Sequence, residues 1–515
     1  MRMHFHHLVS EAAARQPDRP ALTYGDVTVA YADLWEQVAA VGTALHDLGL
    51  RRGERVAVHL DKRIETVVAM FATSAAGGAF VPVNPLLKAR QVAHILGDCD
   101  VRVLVTTPER LELLGDLRDD LPALEHVVLV GGGEPAEGVY RWADLAAGGS
   151  RELPSLGVID VDMAAILYTS GSTGMPKGVV LSHRNLLAGA ESVSTYLAND
   201  EHDVILAALP LSFDAGLSQV TTAFHVGAHV VLVNYLLPRD IARLCARHAV
   251  TGLTCVPPLW IQLADLDWPE EATRSLRYFA NTGGRMPRAT LDRLRAIFPA
   301  AKPYLMYGLT EAFRSTYLDP AEVDRRPDSI GKAIPGAEIL VVREDGSRCE
   351  PGEQGELVHR GALVSLGYWN DPERTAERFK PAPARDGALC TPEMAVYSGD
   401  IVVADEDGFL YFVSRKDEMI KTSGYRVSPT EIEEAVYDTG MVRDAVAFGV
   451  EDERIGQVVA LVVSGDVDPD ELRAVLAKAL PTYMVPRHIT VRDELPRSPN
   501  GKFDRALLRR ELAPA

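Results

Sequence analysis

Short apolar runs alternate with amphipathic stretches from about residue 30 to about residue 310, and this alternation constrains the fold more than any other feature. Amphipathic stretches such as Tyr31–Leu48 and Ile64–Ala76 lie between the runs. Apolar runs separated by helices are typical of parallel strands in α/β layers. The runs are RVAVHL (55–60), GAFVPV (78–83), VRVLVT (101–106), HVVLV (126–130), MAAILYT (163–169), HVVLV (229–233), GLTCVP (252–257) and AKPYLMY (301–307).

The pattern changes after Asp328. The segments AEILVV (337–342), GELVHRG (355–361) and GFLYFV (408–413) are separated by Gly- and Asp-rich turns, which indicates antiparallel hairpins. Roughly the last hundred residues mix predicted strands and helices, and Ser428-Pro429-Thr430-Glu431 is a helix-capping sequence. A chain of 515 residues is too long for one core. We therefore predict a large α/β N-terminal domain (1–416) of layered subdomains and a small α+β C-terminal domain (417–515).

Charge and cysteine usage exclude several classes of function. The formal net charge of -19 repels nucleic acid and anionic membranes, so we expect no nucleic-acid partner. No apolar run is long enough to span a membrane. The cysteines are far apart and lack zinc or disulfide spacing, which favours a reducing, cytoplasmic compartment. They are Cys99, Cys245, Cys255, Cys349 and Cys390.

The segment YTSGSTGMPKG (168–178) is the strongest local signal. It follows a predicted strand and precedes LSHRNLLAG, a predicted helix. Its hydroxyls, its close backbone N–H groups and Lys177 suit the oxygens of a polyphosphate. It is not a Walker A loop, because Lys177 does not directly follow a Gly and no Ser or Thr comes after it. Taken alone, the segment also fits an ordinary Gly/Ser loop.

This segment resembles the signature of the adenylate-forming superfamily of acyl-CoA synthetases, amino-acid adenylation domains and luciferases. The resemblance covers nearly the whole chain and implies ATP-dependent formation of an acyl-AMP, followed by transfer of the acyl group to a thiol. It also implies a small β-barrel-like subdomain and a mobile C-terminal domain. Further motifs occur in the family's order: LPLSFD (209–214), NTGGRMP (281–287), YGLTE (307–311), GELVHRGALVSLGYW (355–369), YSGD (397–400), the segment 414–433 and PRSPNGKFDR (496–505).

The resemblance assigns residues to the phosphates of ATP and to Mg²⁺. Thr310 would donate to the α-phosphate, and Glu311 would ligate Mg²⁺ as a hard oxygen ligand. Lys502 would bridge the substrate carboxylate and the α-phosphate, where a cation stabilises two approaching anions. No general base is needed, because a carboxylic acid is already ionised at pH 7. The β- and γ-phosphates would contact Thr169, Ser170, Ser172, Thr173 and Lys177.

The nucleoside and the thiol are assigned in the same way. Asp400 would accept hydrogen bonds from the ribose hydroxyls, and Arg415 would donate to the nucleotide. Asp417 would be the hinge between two orientations of the C-terminal domain. Gly424 and Arg426 would line the thiol tunnel, although Gly424 also fits an ordinary turn. The residues expected along the adenine are Gly283, Gly284, Arg285 and Tyr307, whose ring offers an aromatic face.

The acid pocket is expected after the segment LPLSFD, with Phe213 beside the reacting carboxylate. Asp214 matches the aspartate that pairs with the substrate ammonium in amino-acid adenylation domains. Fatty acyl-CoA synthetases generally lack it, because a lone buried carboxylate beside an alkyl chain is costly. Arg314 has two open roles: it binds a second substrate carboxylate, or it pairs with Asp214. The other pocket positions are Ala215, Ser218, Ala280, Thr282, Met306 and Ser315.

We therefore predict activation of an amino acid (α or β) and transfer to the phosphopantetheine of a separate carrier protein. The alternative is an AMP-forming acyl-CoA synthetase that joins a non-amino acid to coenzyme A. The stretch YGLTEAFRSTYL is similar to stand-alone adenylation enzymes and to acyl-CoA ligases alike. A non-catalytic nucleotide-binding paralogue is disfavoured, because it would be expected to lose some of Lys177, Glu311, Asp400, Arg415 and Lys502.

Overall fold

The computed structural model describes residues 2–148, 152–153, 156–169, 176–383, 392–415, 418–422, 425–452, 456–499 and 501–512. Several predicted site residues lie outside these ranges: Ser170, Ser172, Thr173, Asp417 and Gly424. The backbone of Arg426 belongs to a short strand, and its side chain is not described.

The helices and strands within the described residues follow, in chain order. The strands are β1 (Pro20–Tyr24), β2 (Val27–Ala30), β3 (Arg55–His59), β4 (Ala79–Pro82), β5 (Val101–Thr106), β6 (His126–Leu129), β7 (Val139–Arg141), β8 (Met163–Thr169), β9 (Lys177–Ser182), β10 (Val204–Ala207), β11 (His229–Leu232), β12 (Gly252–Cys255), β13 (Tyr278–Asn281), β14 (Lys302–Tyr307), β15 (Thr316–Leu318), β16 (Lys332–Ala333), β17 (Ala337–Val342), β18 (Gln354–Gly361), β19 (Phe379–Pro381), β20 (Met394–Ala404), β21 (Leu410–Arg415), β22 (Ile420–Thr422), β23 (Tyr425–Val427), β24 (Asp444–Asp452), β25 (Gly456–Ser464) and β26 (His488–Arg492). The helices are α1 (His7–Arg15), α2 (Tyr31–Asp47), α3 (Ile64–Ala75), α4 (Ala89–Asp98), α5 (Pro108–Leu114), α6 (Trp142–Gly148), α7 (His183–Tyr196), α8 (Asp214–Val226), α9 (Pro238–Arg247), α10 (Pro257–Ala264), α11 (Glu270–Ser275), α12 (Arg288–Ile297), α13 (Pro372–Arg378), α14 (Pro429–Asp438), α15 (Pro469–Ala479) and α16 (Arg505–Leu512).

Two large sheets form the N-terminal part, and each predicted apolar run is a strand in one of them. The first sheet has the order β7-β6-β5-β3-β4-β8-β9 and is parallel except for β9. The second has the order β16-β15-β14-β13-β12-β10-β11-β1-β2, with β10 to β14 parallel. The predicted α/β layers are therefore confirmed.

The predicted order of strand, phosphate segment and helix is present, with one further strand that the sequence did not indicate. The segment 168–178 joins β8 to β9, an antiparallel pair, and the helix predicted at LSHRNLLAG follows β9. Lys177 opens β9, and α7 begins only at His183, where Ser182 Oγ accepts a hydrogen bond from the Asn185 N–H at 3.1 Å. The strand β9 is short and apolar, and periodicity alone does not separate such a run from the start of a helix.

The segments predicted as hairpins form an antiparallel sheet of order β17-β18-β20-β19, and β21 pairs with the C-terminal half of β20. In this sheet Asp400 on β20 pairs in register with Arg415 at the end of β21. The tertiary fold thus brings two predicted nucleotide residues side by side on neighbouring strands.

The C-terminal part has its own sheet and its own core. The sheet order is β23-β22-β25-β24, with β26 parallel to β25. Ser428 caps α14 as the sequence indicates, because its Oγ accepts from the Glu431 N–H. This part contacts the large domain through Asn84 Nδ2, which donates to the Pro499 carbonyl at 3.1 Å, and through an ion pair of Arg285 with Glu434. No helix in the described part of the chain is long and apolar enough to cross a membrane.

Candidate active site

The phosphate segment and the YGLTE segment meet at a cluster of charged and hydroxyl groups. Lys177 Nζ lies 3.2 Å from Glu311 Oε1 and 3.1 Å from the Tyr368 hydroxyl, which itself donates to Glu311 Oε1 at 2.6 Å. The hydroxyl of Thr169, at the end of β8, is buried without a partner among the described residues. Thr310 is buried beside Glu311 in a single turn of 3-10 helix. The cluster supplies a cation, a carboxylate and a free hydroxyl in one place.

Burial and pairing set the charges of this cluster. Burial lowers the pKa of Lys177, although Glu311 opposes the shift. Burial also acts to raise the pKa of Glu311, but Lys177 and the Tyr368 hydroxyl together outweigh it and lower that pKa. Glu311 is therefore ionised at neutral pH, as a ligand for a divalent cation must be.

Three residues predicted to contact the nucleotide meet at Asp400: Tyr307, Asp400 itself and Arg415. The Tyr307 hydroxyl donates to Asp400 Oδ2 at 2.5 Å, and Arg415 Nε lies 3.2 Å from Asp400 Oδ1. Oδ1 nevertheless accepts no hydrogen bond from the described residues. Burial raises the pKa of Asp400, and Arg415 opposes the shift. The carboxylate thus keeps an acceptor for a ligand hydroxyl.

The segment 283–285 of the large domain lies against Lys502 of the C-terminal part. Gly283 has φ +76°, and a Cβ there would lie 2.9 Å from Lys502 Cε. Glycine is required at this position by both the left-handed backbone and the close approach of the lysine. Arg285 turns away into ion pairs, at 2.8 Å with Asp328 and also with Glu434 of α14. Only the backbone of Arg285 is therefore left for the predicted adenine contact.

Lys502 enters the acid pocket from the C-terminal part. It lies in a tight turn in which the Ser498 N–H donates to its carbonyl at 2.7 Å. Its Nζ is 5.2 Å from the centre of the Phe213 ring. Burial lowers the pKa of Lys502, while the nearby Asp214 and Asp400 oppose that shift. The sequence motifs at 209–214, 281–287 and 496–505 thus converge on one point.

A buried ion pair lies at the bottom of this pocket. Asp214 is the first residue of α8 and is 3% exposed, and Arg314 is 2% exposed. Arg314 Nη1 lies 3.2 Å from Asp214 Oδ2 and 3.0 Å from the Phe313 carbonyl. Burial raises the pKa of Asp214 despite Arg314 and Lys502. Of the two roles left open for Arg314, pairing with Asp214 is a contact that the structure contains.

A cavity of about 20 Å³ adjoins Arg314 of this pair, and this space holds about one water molecule. Its lining includes four residues that the sequence analysis assigned to the acid pocket: Ala215, Ser218, Met306 and Arg314. Ser315 is not part of the cavity lining, and its hydroxyl forms a hydrogen bond with His359 Nδ1 at 2.9 Å. The other predicted pocket residues, Ala280 and Thr282, are buried at the end of β13.

Two residues near the site were not predicted from the sequence. Tyr368 bridges Lys177 and Glu311; it lies inside the recognised GYW motif, which was the available signal. Lys62 is buried, and its ammonium donates to the carbonyls of Ala207, Ala208 and Leu209 at 2.9, 2.7 and 3.2 Å. Lys62 thereby ties down the start of the segment 209–214. No local pattern around Lys62 distinguishes it from a surface lysine.

A lysine-bearing phosphate loop, a carboxylate beside it and a second lysine facing a buried acid pocket define an adenylate-forming site. The chain belongs to the AMP-binding enzyme family: residues 9–369 match that family's profile, and residues 431–502 match the AMP-binding enzyme C-terminal domain. Enzymes of this family use ATP, and the protein is an AMP-forming acid–thiol ligase.

The relatives differ in acid and in thiol. The chain is 35% identical to an L-proline–[L-prolyl-carrier protein] ligase of Streptomyces coelicolor, over 96% of this chain and 94% of that one. It is 32% identical to a long-chain-fatty-acid–CoA ligase of Salmonella typhimurium, over 98% and 93%. The crystal structure of the anthranilate CoA ligase AuaEII with anthranoyl-AMP matches with a TM-score of 0.89 and 25% identity, over 99% and 97%.

Proposed function

We propose that this ligase activates an amino acid, α or β, and passes the aminoacyl group to the phosphopantetheine thiol of a separate carrier protein. The observation that carries the proposal is Asp214. Its carboxylate is buried at the bottom of the acid pocket, and Oδ1 has no partner among the described residues. A buried acceptor without a donor is costly, and a substrate ammonium would satisfy it. The carrier-protein ligase of Streptomyces coelicolor supports the same assignment.

In the first half-reaction an oxygen of the substrate carboxylate forms a bond to the α-phosphorus, and the bond to the β-phosphate oxygen breaks to release pyrophosphate. Lys502 lies where it can contact both anions, so its charge stabilises the transition state. Lys177 and Thr169 hold the departing phosphates. In the second half-reaction a thiolate sulfur attacks the acyl carbon, and AMP leaves.

The residues around Glu311 fit Mg²⁺. Glu311 is an ionised carboxylate, and Thr169, which pairs with Lys177 across the strands, has a hydroxyl without a partner among the described residues. Both are oxygen donors of the kind that hard cations prefer. Glu311 would hold the ion, which would supply charge neutralisation of the phosphates. Lys177 would then exchange part of its contact with Glu311 for a phosphate oxygen.

The second half-reaction requires the C-terminal domain to move. We propose that residues 417–515 rotate about Asp417, so that Lys502 leaves the pocket and Gly424 and Arg426 approach the thiol arm. Among the described residues, the turn that carries Lys502 is joined to the large domain by the hydrogen bond of Asn84 with the Pro499 carbonyl, which this rotation would break.

An acyl-CoA synthetase acting on a non-amino acid is the second candidate. The observation that favours it is the same ion pair, because Arg314 neutralises Asp214 and leaves less charge for a substrate ammonium. The fatty-acid–CoA ligase of Salmonella typhimurium is almost as similar to this chain as the prolyl-carrier ligase.

Pyrophosphate exchange with matched pairs of amino acids and their deaminated analogues tests the proposal. We expect exchange to require the amino group, and Asp214→Asn to lower kcat/KM for the amino acid by roughly 10²–10³-fold while affecting the deaminated acid far less. A wild-type preference for deaminated acids would favour the acyl-CoA synthetase. In that case Asp214→Asn combined with Arg314→Met should restore part of the activity lost in Asp214→Asn.

A further inference from the structure

The ion pair at the bottom of the acid pocket is incompletely satisfied on both sides. Arg314 Nη1 and Asp214 Oδ2 make a single contact at 3.2 Å, although a guanidinium and a carboxylate can form two parallel hydrogen bonds. Asp214 Oδ1 and Arg314 Nε are both buried and without a partner in the described part of the chain. A pair that served only to neutralise Asp214 would be expected to use these atoms.

The backbone before Arg314 is strained. Phe313 has φ +57°, a conformation that L-residues rarely adopt, and the Arg314 N–H donates to the Ala312 carbonyl at 2.5 Å. This is a tight γ-turn of the rare, strained type. Gly189 makes room for the displaced ring, because a Cβ there would lie 2.6 Å from Phe313 Cδ1. Strain of this kind persists where the surroundings hold a residue in a required position.

Arg314, which follows this turn, borders the cavity in which the side chain of a bound substrate would lie. It lines the cavity of about 20 Å³ together with Val193 of α7 and with one apolar and three polar residues of α8: Ala215, Ser218, Gln219 and Thr222. Its planar guanidinium suits a carboxylate. The cavity has space for about one water molecule, so only a short substrate group fits beside the guanidinium there.

We infer that the substrate is a short amino dicarboxylic acid, whose ammonium binds Asp214 and whose second carboxylate binds Arg314. The inference rests on the proposed amino-acid function and narrows it. A neutral amino acid would take Asp214 and leave Arg314 without a counter-charge. A dicarboxylic acid without an amino group would take Arg314 and leave Asp214 unpaired. An amino dicarboxylate supplies a partner to each group while its other carboxylate reaches Lys502.

Pyrophosphate exchange with isosteric substrates tests this inference. The panel contains L-aspartate and L-glutamate, their amides L-asparagine and L-glutamine, and the deaminated acids succinate and glutarate. For the wild-type protein we expect kcat/KM for the better acid to exceed that for its amide by roughly 100-fold or more, because the amide leaves a buried guanidinium unpaired. The deaminated acid should be disfavoured by a similar factor.

Two variants locate the preference at Arg314. Arg314→Met removes the charge and should bring the acid-to-amide ratio to about 1 or below, whereas Arg314→Lys keeps the charge without the planar head and should retain part of the ratio. The ratio is measured within each protein preparation, so a loss of folded enzyme cancels.

The outcomes separate this inference from the proposed function. A wild-type preference for neutral amino acids, or an unchanged acid-to-amide ratio in Arg314→Met, would overturn the inference and leave amino-acid activation standing. A preference for deaminated acids, or no exchange with any amino acid, would overturn both.

Discussion

Replacing Lys502 with alanine removes a cation that lies beside Phe213 of the predicted acid pocket. The ammonium is partly shielded from water by the Phe213 ring at 5.2 Å and by the backbone at Gly283. For a charge pair about 4 Å apart in such a partly buried site, an effective dielectric constant of about 20 gives ~4 kcal/mol. A loss of that size in the transition state corresponds to roughly a thousandfold slower adenylation.

The two half-reactions are measured separately. Adenylation is followed by pyrophosphate exchange, and thioester formation is followed with acyl-AMP supplied to the enzyme. In Lys502→Ala we expect the rate of adenylation to fall roughly a thousandfold. The rate of thioester formation should stay within about threefold of wild type, a change of less than 1 kcal/mol. Lys478→Ala is the matched control, because Lys478 is an exposed lysine of the same domain. It should leave both half-reactions unchanged.

An equal loss of both half-reactions in Lys502→Ala, with the fold intact by circular dichroism, would refute the reasoning. It would mean that the lysine acts in a step common to both, and that the C-terminal domain does not carry it away between them.

Three further changes test other parts of the site. Gly283→Ala should strongly reduce pyrophosphate exchange, because the added Cβ meets Lys502. Gly346→Ala is its control: Gly346 has a comparable φ of +85° and no atom within 4 Å of an added Cβ, so this change imposes only the backbone strain. Equal losses of exchange in the two variants would contradict the steric argument. Tyr368→Phe removes the hydroxyl that bridges the lysine and glutamate of the phosphate site and should raise KM for Mg·ATP about tenfold, since hydrogen bonds to charged groups contribute ~1.5–3 kcal/mol. Tyr397→Phe, at a half-exposed tyrosine, is its control, and the result would count against this role if both variants behaved alike. Burial lowers the pKa of His359 to about 3, below its ordinary value of 6.5. Between these two pH values the unfolded chain binds a proton at this histidine that the folded chain does not bind. The free energy of unfolding should therefore fall as the pH drops from 6.5 toward 3. When the free energy of unfolding is measured by urea titration at several pH values, it should change less steeply with pH in His359→Gln, by up to about 1.4 kcal/mol per pH unit. An identical pH dependence in wild type and variant would exclude this histidine as a source of the acid sensitivity.

The sequence by itself determined the features that depend on neighbours along the chain. The run at 101–106 is a strand with the same bounds in the structure, and Ser428 caps α14 as its spacing to Glu431 indicates. Periodicity and capping are local, so a short window contains the information that they need. The ordered motifs likewise identified the family and the parts of the chain that would form the site.

Tertiary structure decided which of these parts touch. Asp214 and Arg314 are 100 positions apart, and only the packing of α8 against the turn after β14 makes them an ion pair with two unsatisfied atoms. The antiparallel pairing of β9 with β8 likewise depends on contacts outside any short window. The sequence around Lys62 is that of an ordinary exposed lysine, and only the fold shows that its ammonium is buried against three carbonyls. The strength of a charge interaction depends on distance in space and on the exclusion of water, and neither quantity is encoded in a residue's immediate neighbours.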